Sequence, residues 1–412
     1  MNSRPVSPLN DDPAVLPPVD PRGSGRARVM RVIRQRGSIA RVDIARLTGI
    51  SPATVTAITA ELLTEGLIER TLPEARAGDA RRGRPREALK VRGAARLVAG
   101  LKVSRLSITV LLVDFEGTEL GSYDHPRPAE QSTGPVLADE IIAATEAACA
   151  AHGRRMADVS GIGVGLAGHV DGGCGHVHWS SALLERNVDL GTLLATRAPC
   201  PVFIDNDANL VAKAEHLFGK GRHIGNFLVV TIQHGIGLGV VIDGALYRGA
   251  RGCGAEFGHT KVDLHGPECQ CGQSGCLEAY TGEYALLRAA NAATGRSFTS
   301  VTALSEAALA GSAEVATILD QAGRYFAMGL ANLVNIFDPD QIILAVESAA
   351  QHPLCSDAVL QQVADQTVQV DAPLPEICVH SWGDQMWAKG AAAYGIEQIS
   401  DMSVRQLGRA EA

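Results

Sequence analysis

The chain has 412 residues, 46% of them apolar and 20% charged, which is ordinary for a globular protein and too long for a single core. No stretch approaches eighteen consecutive apolar residues and the start has no apolar leader, so neither a membrane span nor a secretory signal is read and a cytoplasmic location is expected. The net charge of −8 is unevenly divided: residues 22–96 hold 17 Arg and Lys against 7 Asp and Glu, whereas residues 97–412 hold 19 against 35. A small basic module joined to a large acidic body points to a nucleic-acid-binding head.

Residues 1–25 contain six prolines without apolar periodicity and are expected to be disordered. A domain over 26–92 follows. A helix is predicted from Ala27, with Val29, Val32 and Ile33 on one face and Gly37 as its stop. Val42, Ala45 and Leu47 lie on a second short helix that ends at Thr48-Gly49-Ile50. Ser51 caps a third, with Pro52 at its first position and Val55, Ile58, Leu62 and Leu63 facing inward. This is a helix-turn-helix pattern in which Ser51, Ala53, Thr54 and Thr56 face the major groove. Gly66 to Arg70 reads as a wing strand. The basic run after it places Arg82, Arg84 and Arg86 on an extended segment suited to a narrow minor groove.

The body, 96–400, alternates strands and helices: strand Leu106–Asp114, helix Ala138–Ala151, strands Ile162–Leu166 and Val202–Asp205, and a strand pair Phe227–Ile232 and Gly237–Ile242. Such alternation predicts an α/β architecture in two lobes, the first about 96–200 plus the C-terminal helix, the second about 201–386. Asp205-Asn206-Asp207 falls at the carboxyl end of a strand, where open α/β sheets bind ligands; Asp207 also reads as a helix N-cap. Between Glu256 and Glu278, His259, Cys269, Cys271 and Cys276 form a Cys₃His set that satisfies a structural Zn²⁺ and leaves no open position for catalysis. The remaining cysteines, scattered among mainly apolar neighbours, read as reduced thiols.

Glu256-x-x-His259 followed by Cys269-x-Cys271-x₄-Cys276-x-Glu278 resembles the ROK family (repressors, open reading frames and kinases), in its DNA-binding repressor branch, over about residues 27–400. The resemblance implies a winged helix-turn-helix head on an actin/hexokinase-like body of two ribonuclease-H-like lobes, with a sugar in the cleft. It assigns Ala167-Gly168, Ser180, Asn206, Asp207, Glu256, His259 and Glu278 to the sugar, Asp207 matching the general base of kinase members. It departs from the kinase members at three nucleotide elements. Their Asp-x-Gly-Gly-Thr-Lys-like turn reads Gly100-Leu101-Lys102-Val103-Ser104-Arg105-Leu106, their Gly-Thr-Gly turn reads Gln233-His234-Gly235, and a Gly-Gly-Gly-like turn reads Ala345-Val346-Glu347-Ser348. Phosphates need glycine turns whose amides approach closely. The expectation is a sugar-responsive repressor, not an enzyme, binding operator DNA as a homodimer or homotetramer. The alternatives are an active sugar kinase with a fused head, or a repressor controlled by a protein partner. The loop Leu183-Leu184-Glu185-Arg186-Asn187 lacks the tryptophan that sugar-kinase members often carry, which leaves the sugar unnamed.

Overall fold

A computed structural model describes residues 21–72, 87–346, 352–368, 373–381 and 383–409. It divides into two compact units, residues 1–90 with 400–412 and residues 91–399.

In the first unit, α1 (Pro21–Arg36), β1 (Ile39–Ala40), α2 (Arg41–Thr48) and α3 (Pro52–Thr64) precede β2 (Ile68–Thr71) and β3 (Ala88–Val91), the strands pairing in the order β1-β3-β2. Val29, Met30, Ile33, Ile44, Val55, Ile58, Leu62 and Leu89 form its core. Helix α1 starts well before Ala27: Gly23-Ser24-Gly25 reads as loop in isolation but lies within the helix. Arg26, almost fully buried on α1, is held by Glu61 of α3 at 2.6 Å, which answers the cost of burying its charge. On α2, Ile44 and Ala45 face inward, while Val42 and Leu47 are exposed.

The second unit contains two five-stranded sheets of identical topology. The first takes β4 (Leu97–Val103), β5 (Ser107–Asp114) and β6 (Glu119–Pro126). After α4 (Gly134–Ala151) come β7 (Val159–Leu166), the small three-stranded flap β8 (Gly168–Asp171), β9 (His176–Ser180) and β10 (Val188–Asp189), α5 (Leu190–Ala195), β11 (Val202–Asn206) and α6 (Asp207–Leu217). Its order is β11-β7-β4-β5-β6. The second sheet takes β12 (Phe227–Ile232), β13 (Ile236–Ile242) and β14 (Ala245–Tyr247). Helices α7 (Glu278–Thr281), α8 (Glu283–Thr294), α9 (Val301–Leu309) and α10 (Ala313–Phe337) precede β15 (Gln341–Val346), α11 (Asp357–Gln366), β16 (Glu376–Ser381) and α12 (Met386–Arg409). Its order, β14-β13-β12-β15-β16, repeats the first: an antiparallel three-strand meander extended by two parallel strands. The expected lobe boundary near 201 is corrected by this pairing, because β11 hydrogen-bonds β7 along its whole length and belongs to the first sheet.

Helix α4 covers the outer face of the first sheet, and α8 to α11 cover that of the second. Helix α6 and the first part of α12 fill the space between the sheets. Val211 and Ala212 of α6 and Met386 and Trp387 of α12 pack on Phe227, Val229 and Ile343, while Leu210 and Ala391 pack with Tyr394 and Phe203. Where the α12 backbone comes closest to the first sheet, the strands carry glycines. A Cβ on Gly163 would fall on the carbonyl oxygen of Ala391, and one on Gly100 on the backbone of Ala388 and Ala392. Charges that enter this layer are paired: Lys213 with Glu397 at 2.7 Å, and Glu215, fully buried, with His380 at 2.6 Å.

Gly163→Ala is expected to cost roughly 1–3 kcal/mol, since neither backbone can retreat without moving the helix. Gly225→Ala is expected to be near neutral: the glycine is exposed, its φ is not positive, and an added methyl group would meet nothing within 4 Å. Chemical denaturation of the two variants beside the wild type measures the difference.

Candidate functional site

The parallel strands of the first sheet end together, with Lys102 level with Gly165 and Asn206 level with Leu166. At this edge Gly168 turns the chain from β7 into β8 with φ +133°; a side chain there would strike the carbonyl of Trp179. Asn206 is the cap of α6. Its Oδ1 accepts from the amides of Ala208 (2.9 Å) and Asn209 (3.4 Å), and its Nδ2 donates to the Gly168 carbonyl at 2.8 Å. Asp207 is thus the first helical residue instead of the cap. Its Oδ1 accepts from the Ala208 amide at 2.9 Å. Burial pushes the Asp207 carboxyl up to about 6; the Ala208 amide and the Lys102 ammonium oppose the rise, and Glu256 adds to it. Lys102 itself stacks its ammonium 3.9 Å over the Trp387 ring. Ser180 is fully buried, donates to the Ala167 carbonyl at 2.7 Å and accepts from the Ala182 amide; it braces the flap.

The second lobe enters through the segment after β14. Arg248 donates to the fully buried Asp205 carboxylate from Nε (2.8 Å) and Nη2 (2.6 Å), and Asn209 adds a further bond at 3.0 Å. This pair pins the start of a strap that ends at Ala255, whose φ of +69° sets up Glu256. The Glu256 carboxylate faces the cleft. Its Oε1 lies 2.9 Å from His169 Nδ1 on β8, and its Oε2 lies 4.0 Å from His259 Nε2. The bond to Glu256 raises the His169 imidazole above its ordinary value.

His259, Cys269, Cys271 and Cys276 converge, with ligand atoms all within 4.8 Å of one another. Three backbone bonds close the cysteine loop: Cys269 N to Gln273 O, Gly272 N to Cys269 O, and Leu277 N to Thr260 O. Two of the ligand spacings match those of a tetrahedral ion. Bond lengths for thiolate and imidazole ligands imply edges of about 3.8 Å between sulfurs and about 3.6 Å from sulfur to nitrogen. Cys271 and Cys276 sulfurs are 3.7 Å apart, and Cys269 Sγ is 3.6 Å from His259 Nδ1. Burial pushes the Cys269 thiol up to about 12, so a thiolate there calls for a cation beside it. Lys261 Nζ lies 2.8 Å from Cys276 Sγ. The cluster can therefore hold a metal ion through His259 Nδ1, which leaves Nε2 on the Glu256 side.

Glu278, the first residue of α7, reaches the β12–β13 turn. Its Oε2 accepts from the Ile236 amide at 3.1 Å, and its Oε1 lies 3.4 Å from the Tyr284 hydroxyl and 3.6 Å from Cys269 Sγ. A continuous chain of contacts thus joins His169, Glu256, His259, Cys269, Glu278 and the turn Gln233-His234-Gly235. Asn206 and Gly168 meet at the opposite edge, and Ser180 stays beneath the flap. Sequence reasoning missed His169, Arg248 and the anchoring part played by Asp205. Their signal is absent because the partners lie 87 and 43 positions apart along the chain. Of the three altered nucleotide elements, Glu347 and Ser348 lie outside the described residues.

In the first unit the turn before α3 passes through Gly49 at φ +66°. Ser51 Oγ accepts from the Thr54 amide at 3.2 Å, and Ser51, Ala53, Thr54 and Thr56 are all exposed on the first turns of α3. Arg82, Arg84 and Arg86 lie outside the described residues.

Residues 98–397 match the ROK family model and residues 24–75 that of the MarR family. The chain belongs to the ROK family. It is 28% identical to the xylose repressor of Bacillus spizizenii over 91% of this chain and 95% of that protein. A ROK family transcriptional regulator, described as a homologue of the E. coli MLC protein, superposes with a TM-score of 0.76 at 26% identity, covering 94% of this chain and 98% of its own. The ROK hexokinase of Thermus thermophilus superposes with a TM-score of 0.62 at 30% identity, covering 74% and 99%. The head is accordingly a MarR-type winged helix and the body an actin/hexokinase-like ROK fold. No helix among the described residues is long and apolar enough to cross a membrane.

The raised Asp207 carboxyl makes a signed prediction. Its folded value of about 6 exceeds the unfolded value of about 3.9, so the stability linked to its proton is present at low pH and lost as pH rises through about 6. Asp207→Asn is expected to be more stable than wild type at pH 7.5, by at most about 3 kcal/mol, with the gain shrinking toward zero near pH 4. Melting curves across that range decide it; a gain that grows on acidification contradicts the assignment.

Proposed function

We propose that this protein is a sugar-responsive DNA-binding transcriptional regulator, a repressor, whose ROK body senses a sugar and does not transfer phosphate. The head over 26–92 reads an operator through Ser51, Ala53, Thr54 and Thr56, with Arg82, Arg84 and Arg86 reaching the minor groove. The body over 96–400 binds the effector. Asp207 and Glu256 accept from sugar hydroxyls, His259 presents Nε2, and Asn206, Gly168 and Ser180 shape the edge. Glu278 holds the β12–β13 turn and the cysteine loop in register with them. A structural Zn²⁺ suits the Cys₃His set, where it would fix His259 by its other nitrogen.

The observation that carries the non-enzymatic reading is the β4–β5 turn. Its Ser104 amide is closed onto the Ser107 carbonyl at 2.9 Å, and buried Arg127 donates to the carbonyls of Ser104 (2.8 Å) and Arg105 (3.2 Å). A phosphate cradle requires free, inward amides. This turn is instead organised around a guanidinium that binds its carbonyls, and the Lys102 cation beside it stands over Trp387. Phosphoryl transfer depends on positioning and charge stabilisation of the donor, and neither has a seat here.

Effector binding acts by its differential affinity for two states of the protein, a DNA-binding one and a released one, with coupling of about 1–3 kcal/mol typical for such systems. A homodimer suits a pseudo-palindromic operator with half-sites one helical turn apart.

Fluorescence anisotropy on upstream DNA of the protein's own operon, with and without a library of pentoses, hexoses and N-acetylhexosamines, tests the reading. One sugar is expected to weaken DNA binding roughly 5- to 150-fold, with no ATP turnover in a coupled assay; turnover would make the protein a kinase. Ala53→Glu is expected to abolish DNA binding without moving the melting temperature. Cys271→Ser is expected to lose one equivalent of zinc by elemental analysis and to lower both stability and sugar response. A normal response from zinc-free protein overturns the role given to the metal.

A further inference from the structure

Within the flap, His169 bonds across the cleft to the strap. It follows Gly168, whose φ of +133° aims β8 out of the plane of β7, and the register of the β8–β9 pair shifts between His169 and Val170. The bulge leaves the imidazole facing Glu256, with the Trp179 ring 6.0 Å away. The two partners come from different lobes, yet neither is buried: His169 is 34% exposed and Glu256 40%. A purely structural interlobe pair of this protein looks different. Asp205 and Arg248 meet in a contact through two guanidinium nitrogens with the carboxylate fully covered. The His169–Glu256 bond is single, open to the cleft, and uses the carboxylate oxygen, Oε1, that does not face His259.

We propose that His169 is an effector-contacting, specificity-determining residue. One hydroxyl of the sugar takes the place of the direct bond, accepting from His169 Nδ1–H and donating to Glu256 Oε1. A hydroxyl is both donor and acceptor, so it satisfies the two groups at once; a ring carbon without one leaves a donor and a charged acceptor facing each other across a gap. Sites built around a hydroxyl reject analogues that lack it far more strongly than apolar pockets reject a missing methylene. The clasp therefore makes one ring hydroxyl obligatory. This rests on the reading of the cleft as a sugar site.

Isothermal titration of the full-length protein with D-xylose, D-glucose and N-acetyl-D-glucosamine identifies a binding sugar, and its monodeoxy analogues are then titrated against wild type, His169→Ala and His169→Gln. Wild type is expected to reject one monodeoxy analogue by about tenfold or more. His169→Ala is expected to weaken the parent sugar while leaving that analogue nearly unchanged, so that the ratio falls toward one; His169→Gln, which keeps an N–H donor, restores part of it. In a double-mutant cycle the effect of His169→Ala is expected to be smaller in a Glu256→Gln background than in wild type. Equal weakening of parent and analogue, or an unchanged ratio, overturns the clasp and leaves sugar sensing standing. If wild type binds none of the sugars or analogues, the sugar reading falls and the clasp with it. Melting temperatures of the variants separate lost contacts from lost folding.

Discussion

The body depends on how closely two helices can approach two sheets at once. Helices α6 and α12 lie between the β11-β7-β4-β5-β6 and β14-β13-β12-β15-β16 sheets, and every neighbour on both sides constrains them. The approach is possible because the sheet strands present hydrogen where other proteins present side chains. Gly100 and Gly163 lie under Ala388, Ala391 and Ala392, while Gly237 and Gly239 lie under Ala208 and Ala212. Glycines in strands carry an entropic cost, and their placement under alanines converts that cost into backbone contact and dense packing. The helices in turn fix the site. Asp207 opens α6, Trp387 near the start of α12 receives Lys102, and Tyr394, about two turns further on, lies against Phe203.

The electrostatics of the cleft follow from that placement. Asp207 projects from the first turn of a helix wedged between sheets, so solvent reaches it poorly and burial raises its carboxyl to about 6. The neighbouring Lys102 keeps it from rising further. Glu256 approaches from the other lobe on a strap that is pinned at one end by Arg248 and Asp205 and at the other by the cysteine loop. Its charge adds to the proton affinity of Asp207. Two carboxyl groups that arrive from different lobes favour any ligand that donates hydrogen bonds to both. Polyols do so; anions do not.

Much of this was legible in the chain and some of it was not, for identifiable reasons. The helix-turn-helix was readable because Gly49, Ser51 and Pro52 are punctuation whose physics is local, and the structure puts each to the expected use. The cysteine cluster was readable because its ligands are close in sequence and their chemistry is rare. The exchange of cap roles between Asn206 and Asp207 was not, because both residues cap helices well and the choice is made by β11, whose last paired residue is Asn206 opposite Leu166. The assignment of β11 to the first sheet is a fact of pairing with β7, to which its own apolar residues give no clue. The flap β8–β10 escaped notice because its strands are two to five residues long and carry His, Gly and Trp without alternation.

The same distinction explains where a phosphate-binding fold can lose its donor and keep its acceptor site. Elements that bind a polyphosphate are turns whose backbone amides must stay free, so one cation or one bulky side chain in the turn is enough to close them. The β4–β5 turn, with Arg105 in it, Lys102 near the end of the strand before it and Arg127 bound to its carbonyls, is closed in that sense. The polar groups at the other edge are side chains held by the rigid frame: Asp207 by the wedged helix, Glu256 by the strap, and His259 by the cysteine loop. Changing the turn leaves that frame intact, because Arg127 anchors the turn to Glu140 of α4 on the far side of the sheet from α6 and α12. A body of this construction can therefore change a few residues at one edge without disturbing the carboxyl and imidazole groups held at the other.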